Sequence, residues 1–257
     1  MSVTGPKQSP TCRVCGGGPT VNAHLFPRAL AHDLRGQAKH LYVGGVAAPG
    51  RQTVQAGLSD QGILCSTHEA KLGPYDTYGV GFCRTFASRV KHPAPNIWRI
   101  SDVDGDLLTR FWLAVLWRFG VSTLPQAALV RLGPYEHVLR DILFSDAPCS
   151  PEPAVITLRY CSRTIPPENV CFPPYRSAFP PSGHLFAYGM AIAGLHAFVK
   201  LDRRPLPAHF HAATINGKRE ISGGYLELEE THQFQRMRQI AKNMALKPSY
   251  PRPNART

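Results

Sequence analysis

Two short pairs of metal-binding residue types constrain this chain more than any other feature. Cys12 and Cys15 form the first pair, with glycines directly after it at 16–18, and Cys65 and His68 form the second. Each pair is separated by two residues, and four nitrogen and sulfur ligands in two such pairs match the tetrahedral coordination of Zn²⁺. The spacing therefore predicts one structural zinc ion with four ligands: Cys12, Cys15, Cys65 and His68.

The residues around the second pair predict how it is presented. Leu64 and Cys65 end an apolar stretch that is typical of a strand, and His68 then lies in the first turn of a helix. Residues 11–80 contain many glycines and few long apolar runs, so we expect a bound metal ion to stabilise this part of the chain. The alternative is that the first cysteine pair is incidental and that His68 is a surface residue of a helix.

An excess of basic residues gives the chain a net charge of +12. Such an excess favours a polyanionic partner, most often nucleic acid, because each Lys or Arg near a phosphate releases condensed counterions. From Thr231 to the C-terminus there are six Lys or Arg and no Asp or Glu. A solvated basic tail is the alternative to nucleic-acid contact for this segment.

The apolar residues and the cysteines indicate where such a chain resides. No apolar stretch reaches the length of about 18 residues that a membrane span needs, so we expect no membrane contact. The N-terminal sequence MSVTGPKQSP has no apolar run and does not resemble a signal peptide. The seven cysteines are an odd number, and we expect reduced thiols in a cytoplasmic protein.

Changes in composition along the chain predict an α+β fold in two parts. We expect a disordered lead over residues 1–10 and a small zinc-bound module over residues 11–90. The proline-containing sequence KHPAPN predicts a linker over residues 91–96. A larger domain of mixed helix and sheet, with no chemical signature that indicates its role, is expected over residues 97–257.

Periodicity predicts the first elements of the larger domain. A stripe of apolar residues in 104–120 predicts a buried helix that ends at Gly120. Residues 134–144 predict a second helix with proline in its first turn. The β-branched residues of 154–161 predict a strand.

Glycine, proline and charge predict the remaining elements. Three Pro-Pro pairs predict a long loop over residues 163–183, and glycines divide 184–202 into two predicted strands. An Asn-Gly pair between extended flanks predicts a hairpin in 208–221. The order of acidic residues first and basic residues last predicts a helix within 228–247.

The order Cys-x-x-Cys, Ala-His-x-x-Pro-Arg and Leu-Cys-x-x-His-Glu-x-Lys resembles the zinc-containing HNH endonucleases. The match covers residues 11–80, which is under a third of the chain. The resemblance implies a ββα-metal-like module, in which two strands and a helix carry a catalytic metal site beside the structural zinc.

The resemblance assigns roles to particular positions. His24 matches the general base, and Asp60 stands where the family has an Asn that orients this base. Glu69 stands where the last metal-binding His is expected. Ala23 stands where the family has an Asp ligand, so that Asp60 or Asp76 would have to supply the second carboxylate.

The resemblance therefore implies a metal-dependent endonuclease that acts on nucleic acid, with DNA favoured. Zn²⁺ would be structural, and carboxylates would hold Mg²⁺ or Mn²⁺ as the catalytic ion. The implied catalytic residues are His24, Asp60 and Glu69. The basic residues that flank the motif are expected to contact phosphates: Arg28, Arg35 and Lys71.

The alternative function is a non-catalytic zinc-containing adaptor that binds nucleic acid or protein, with Ala23 marking an inactive site. The chain also resembles a set of bacterial proteins that share the first cysteine pair, a Ser/Ala-His-x-x-Pro step and a Leu-Cys-x-x-Cys-Glu segment, and this resemblance implies no activity. A role in bacterial defence or in a mobile element is an analogy only. A protein partner, or a second copy of the chain, is expected to bind through residues 97–257.

Overall fold

The computed structural model describes residues 11–39, 41–43, 52–145, 152–178 and 185–246. Its helices are α1 Arg28–Arg35, α2 Ser66–Arg89, α3 Gly105–Val121, α4 Tyr135–Phe144, α5 Ala208–His211 and α6 His232–Leu246. Its strands are β1 Thr20–His24, β2 Leu41–Val43, β3 Gln52–Val54, β4 Ser59–Cys65, β5 Lys91–Ala94, β6 Ile97–Ser101, β7 Ala154–Cys161, β8 Phe172–Ala178, β9 Phe186–Ile192, β10 Leu195–Lys200 and β11 Glu220–Glu227. The fold is mixed α+β, as predicted. The predicted lead over 1–10 and the last part of the basic tail, 247–257, lie outside the described residues.

The N-terminal part of the chain contains a two-stranded antiparallel sheet, β1–β4, which leads directly into α2. Ala23 pairs with Asp60 and His24 pairs with Ser59 across this sheet. The β4 strand ends at Cys65 and α2 begins at the next residue, which confirms the strand-to-helix junction predicted at the second metal pair. In sequence, α1 and the β2–β3 pair lie between the two strands.

The long helix α2 packs against α3. A side chain at Gly79 of α2 would meet α3, because a Cβ there would lie 2.2 Å from Cγ of Phe111. A glycine is therefore needed at this point for the two helices to approach so closely. The predicted helix over 104–120 is confirmed, with Asp104 accepting hydrogen bonds from two backbone N–H groups of the first turn. It continues one residue past the expected stop at Gly120.

The larger sheet has seven strands in the order β5-β6-β11-β7-β10-β9-β8. Its neighbouring strands are antiparallel except for β11 and β7, which are parallel. Met190 and Ile192 of β9 belong to the cluster that contains α3, whereas Ala191 between them packs with Phe234 of α6. Successive residues of a strand point to opposite faces, so α3 and α6 cover opposite faces of the sheet.

Two strands of this sheet lie where other structure was predicted. Residues 91–94, within the predicted linker, form β5, and residues 172–178, within the predicted long loop, form β8. Both strands contain proline and lie at the two edges of the sheet. Proline is tolerated at an edge because one side of the strand makes no ladder hydrogen bonds. The proline content therefore led to a wrong prediction for these residues.

The other predictions for the larger part had mixed outcomes. The helix over 134–144 and the strand over 154–161 are confirmed as α4 and β7, and 184–202 contains the two predicted strands β9 and β10. The hairpin predicted in 208–221 is wrong. Residues 208–211 form the short helix α5, which begins directly after Pro207, and only the second flank is extended, as β11.

One continuous cluster of buried apolar side chains joins the N-terminal part to the large sheet. It includes Leu25 and Leu72 from the first ninety residues, Trp112 from α3 and Val199 from β10. All four are fully buried. None of the helices in the described ranges combines the length and the apolar character needed to cross a membrane.

Candidate metal centre and the adjoining polar cluster

The four residues predicted to bind zinc meet in space. The ligand atoms of Cys12, Cys15, Cys65 and His68 all lie within 4.8 Å of one another. Nδ1 of His68 faces the thiols, at 3.2 Å from Sγ of Cys65 and 3.6 Å from Sγ of Cys12. In the described part of the chain this is the one group of three or more Cys, His, Asp or Glu residues whose spacing suits a metal ion.

The backbone around the first pair folds into a tight turn. The N–H of Cys12 donates to the carbonyl of Gly17 at 2.7 Å, and the N–H of Gly16 donates to the carbonyl of Cys12 at 2.8 Å. Gly16 has a φ of +69°, a conformation that glycine adopts without strain. The N–H of Arg13 donates to the carbonyl of Ile63 at 2.9 Å, which fixes the turn against β4.

The chemistry of this group suits a metal ion that prefers sulfur and nitrogen. Burial raises the pKa of Cys12, but hydrogen bonds from the backbone of Cys15, Cys65 and Val14 outweigh this effect and the pKa lies below its ordinary value. Burial, with a smaller contribution from Lys71, lowers the pKa of His68. A thiolate and a neutral imidazole are the forms that bind a metal. The group therefore fits a structural metal site of the Cys₃His type.

A second group of polar side chains adjoins the metal centre where β1, α2 and α3 meet. His24 ends β1, and Glu69 follows the ligand His68 in the first turn of α2. Burial lowers the pKa of His24, and the charges of Arg28 and Arg118 lower it further, against the opposing effect of Asp76. His24 is therefore a neutral imidazole near pH 7, the form that can accept a proton.

Glu69 has one oxygen that the fold does not satisfy. Burial, with a smaller contribution from the charge of Asp76, raises the pKa of its carboxyl group, and the opposing effects of Arg118 and the backbone of His24 do not outweigh this. Its Oε2 is buried and has no hydrogen-bond partner among the described residues. An unpartnered carboxylate oxygen is an acceptor that a proton, a cation or a water molecule can fill.

Asp60 has a different set of contacts from the one that the resemblance implies. Its Oδ1 accepts from the N–H of Gly62 at 2.8 Å. Its Oδ2 accepts from Oγ of Ser122 at 2.7 Å, and from the N–H and Oγ1 of Thr123 at 2.9 and 3.3 Å. These four hydrogen bonds engage both oxygens of the carboxylate and lower its pKa, although burial alone would raise it. Asp60 therefore links β4 to the residues that follow α3.

Asp76 pairs with an arginine that sequence reasoning missed. Both oxygens of Asp76 accept from Arg118, from Nη1 at 2.9 Å and from Nη2 at 2.7 Å. Arg118 lies in the last turn of α3, and only 1% of its side chain is exposed. The one signal in the sequence is an arginine within the apolar second half of the helix, which does not identify its partner about forty residues away.

The basic residues predicted to contact phosphates differ in their surroundings. Arg28 is exposed on α1, and its charge acts on His24. Arg35 donates from Nη1 to the carbonyl of Gln55 at 3.2 Å, and Lys71 donates from Nζ to the carbonyl of Phe144 at 3.2 Å. Of the three, Arg28 is the one whose charge acts on His24. Ala23, which replaces the expected Asp, is fully buried.

The structure thus brings the four candidate metal ligands into one group, with His24 and Glu69 close together in an adjoining cluster and Asp60 engaged elsewhere. Comparisons of the whole chain with protein-family models, with curated proteins and with solved structures found no match.

Proposed function

We propose that the chain is a metal-dependent, HNH-like endonuclease in which His24 activates the attacking water. The observation that carries the proposal is the proximity of the Glu69 carboxylate to the backbone of His24, because Glu69 directly follows a ligand of the candidate metal centre. A neutral histidine on the first strand and a carboxylate directly after a metal ligand are the positions that the resemblance to the HNH endonucleases implies. The exposed Arg28 beside His24 supports a phosphate-containing substrate.

Zn²⁺ is the metal that we assign to the Cys₃His group. Three sulfurs and one nitrogen within 4.8 Å of one another match its preferred ligands. The ion would hold the N-terminal turn against the start of α2 and would take no part in the reaction. Its contribution is to folding.

Glu69 is the residue that best fits a catalytic Mg²⁺ or Mn²⁺ ion. Magnesium is commonly held by one or two carboxylates together with water and substrate phosphates, and Oε2 of Glu69 has no other partner in the described chain. When bound, such an ion supplies charge stabilisation at the phosphate oxygens. Asp60 does not fit this role, because four hydrogen bonds already occupy it.

Two residues of the chain would perform proton transfer and phosphate binding. His24 would accept the proton of the attacking water at its ring nitrogen, as a general base with a pKa below that of free histidine can do at neutral pH. Arg28 would bind the phosphate backbone and orient it. Contacts of this kind position a nucleic acid without reading its sequence.

A non-catalytic zinc-containing adaptor is the second candidate. The observation that favours it is that Asp60 and Asp76, the two residues available to replace the missing Asp ligand, are both engaged in internal contacts. The buried Ala23 provides no ligand of its own. An adaptor would need the metal centre for folding and would use exposed basic residues such as Arg28 for binding.

The deciding experiment combines metal analysis with a plasmid-nicking assay. The purified protein is expected to contain one zinc ion per chain and to nick DNA when Mg²⁺ or Mn²⁺ is added. His24→Ala is expected to abolish nicking with unchanged zinc content, whereas His137→Ala, which alters an exposed histidine of α4, should leave nicking intact. One zinc ion without any cleavage of DNA or RNA would favour the adaptor, and the absence of zinc would refute both.

A further inference from the structure

Arg118 is the most deeply buried charged side chain near the candidate site. A guanidinium that is only 1% exposed has lost its hydration, and this loss must be compensated by close partners. The two hydrogen bonds to Asp76 form a parallel, bidentate pair, which is the strongest arrangement for an arginine and a carboxylate. The Nε of Arg118 is also buried, and no described residue is its hydrogen-bond partner.

The surroundings of Arg118 connect it to the candidate site. Its charge acts on Glu69 as well as on Asp76, and it also acts on His24. One guanidinium is therefore bonded to Asp76 of α2 and also acts electrostatically on Glu69 of the same helix. The pairing of Arg118 with both oxygens of Asp76 leaves Glu69 as the carboxylate without a bidentate partner.

Arg118 comes from a different part of the chain than the other members of this cluster. His24, Glu69 and Asp76 all lie within the first ninety residues, whereas Arg118 comes from α3, which also packs on the seven-stranded sheet. The HNH-like pattern of the sequence ends near residue 80. The candidate site is thus completed by a charge from outside the segment that carries the pattern.

We propose that Arg118 is a positioning residue of the candidate hydrolytic site, and that it acts by fixing Asp76 of α2, the helix that carries Glu69. This inference rests on the proposed function, because it concerns the geometry of the same site. Arg118 itself is too deeply buried to contact a substrate. It acts through Asp76, and the site is assembled when α3 is packed against α2.

The test compares Arg118→Lys with Arg110→Lys in the full-length protein. Both arginines lie on α3 and both are at least nine-tenths buried, but Arg110 bonds to the carbonyl of Ile142 and lies over the ring of Tyr75. Lysine keeps the charge and cannot make the bidentate pair. We expect kcat for nicking to fall by about 10- to 100-fold in Arg118→Lys with KM little changed, since small displacements of reacting groups have effects of this size. Arg110→Lys should retain the wild-type kcat.

A double-mutant cycle tests whether Arg118 acts through Asp76. Asp76→Asn is expected to lower kcat by a similar factor, and the combined variant should be no slower than the slower single variant. An Asp76→Asn variant that folds and cuts at the wild-type rate would overturn the inference, as would equal losses in the two arginine variants. If the wild-type protein cuts no nucleic acid, the proposed function fails and the inference about Arg118 fails with it. If the wild-type protein cuts nucleic acid and one of the two outcomes above is observed, only the inference about Arg118 fails.

Discussion

Asp60→Asn separates a structural role of this residue from the catalytic role that the resemblance implies. Asn keeps the shape of the side chain but replaces one acceptor oxygen by an NH₂ group, which then faces either the N–H of Gly62 or the donors of Ser122 and Thr123. Hydrogen bonds to a charged group contribute about 1.5–3 kcal/mol each, and a buried donor left without a partner costs about 1–3 kcal/mol. We therefore expect the free energy of unfolding to fall by about 3 kcal/mol.

Thermal unfolding measures this loss directly. For a chain of this size, 1 kcal/mol shifts Tm by about 2–4 °C, so Asp60→Asn should lower Tm by about 6–12 °C. Asp141→Asn is the matched control, because the Asp141 side chain is 73% exposed and its contact with Arg140 spans 3.6 Å, which gives a shift near zero. A stable Asp60→Asn variant that has lost all nicking activity would refute this reasoning and restore the catalytic role.

The pH dependence of the difference in Tm between the wild type and Asp60→Asn gives an independent check. The hydrogen bonds hold the pKa of folded Asp60 below the value of about 3.9 found for a free Asp. A depressed pKa stabilises the folded state above the unfolded pKa, and this stabilisation is lost as the pH falls through the folded pKa. The difference in Tm between the wild type and Asp60→Asn should therefore be constant near neutral pH and narrow in acid, below about pH 4. A difference that stays constant into strong acid would contradict the assignment.

Two further predictions concern the metal centre and the contact between α2 and α3. Removal of zinc by a chelator at pH 7 should lower Tm by more than about 10 °C, since each kcal/mol of lost stability lowers Tm by about 2–4 °C. Added Zn²⁺ should restore the Tm. An unchanged Tm in a sample shown to have lost its zinc would contradict a structural role. Gly79→Ala should destabilise the protein by about 1–3 kcal/mol, because the new Cβ would overlap the ring of Phe111. Gly81→Ala, in the same helix but with no atom within 4 Å, should be neutral or stabilising in the same denaturation assay.

The sequence was most informative where the chemistry is local. The two short pairs identified all four members of the Cys₃His group, because a two-residue gap allows both residues of a pair to bind one ion. The buried helix α3 was predictable for a similar reason, since its apolar stripe repeats within the helix. Both depend on residues that are neighbours along the chain.

The features that sequence analysis missed depend on distant residues. Strands β5 and β8 exist because each pairs with a neighbour at the edge of the sheet, and this position is what makes their prolines tolerable. The engagement of Asp60 by Ser122 and Thr123 joins positions about sixty residues apart, and that of Asp76 by Arg118 joins positions about forty residues apart. A residue's type and its place in a motif did not reveal these partners.

Strands β1 and β4 pair although they are far apart along the chain, and this has a consequence for how the length of the segment between them can vary. A metal ion bound at both pairs closes a loop of about fifty residues, and a cross-link of that length removes about 4 kcal/mol of chain entropy from the unfolded state, by the relation used for disulfides. This contribution changes little with loop length, since doubling a flexible loop alters its closure free energy by only about 0.6 kcal/mol. The segment that carries α1, β2 and β3 can therefore lengthen or shorten with little effect on the metal cross-link.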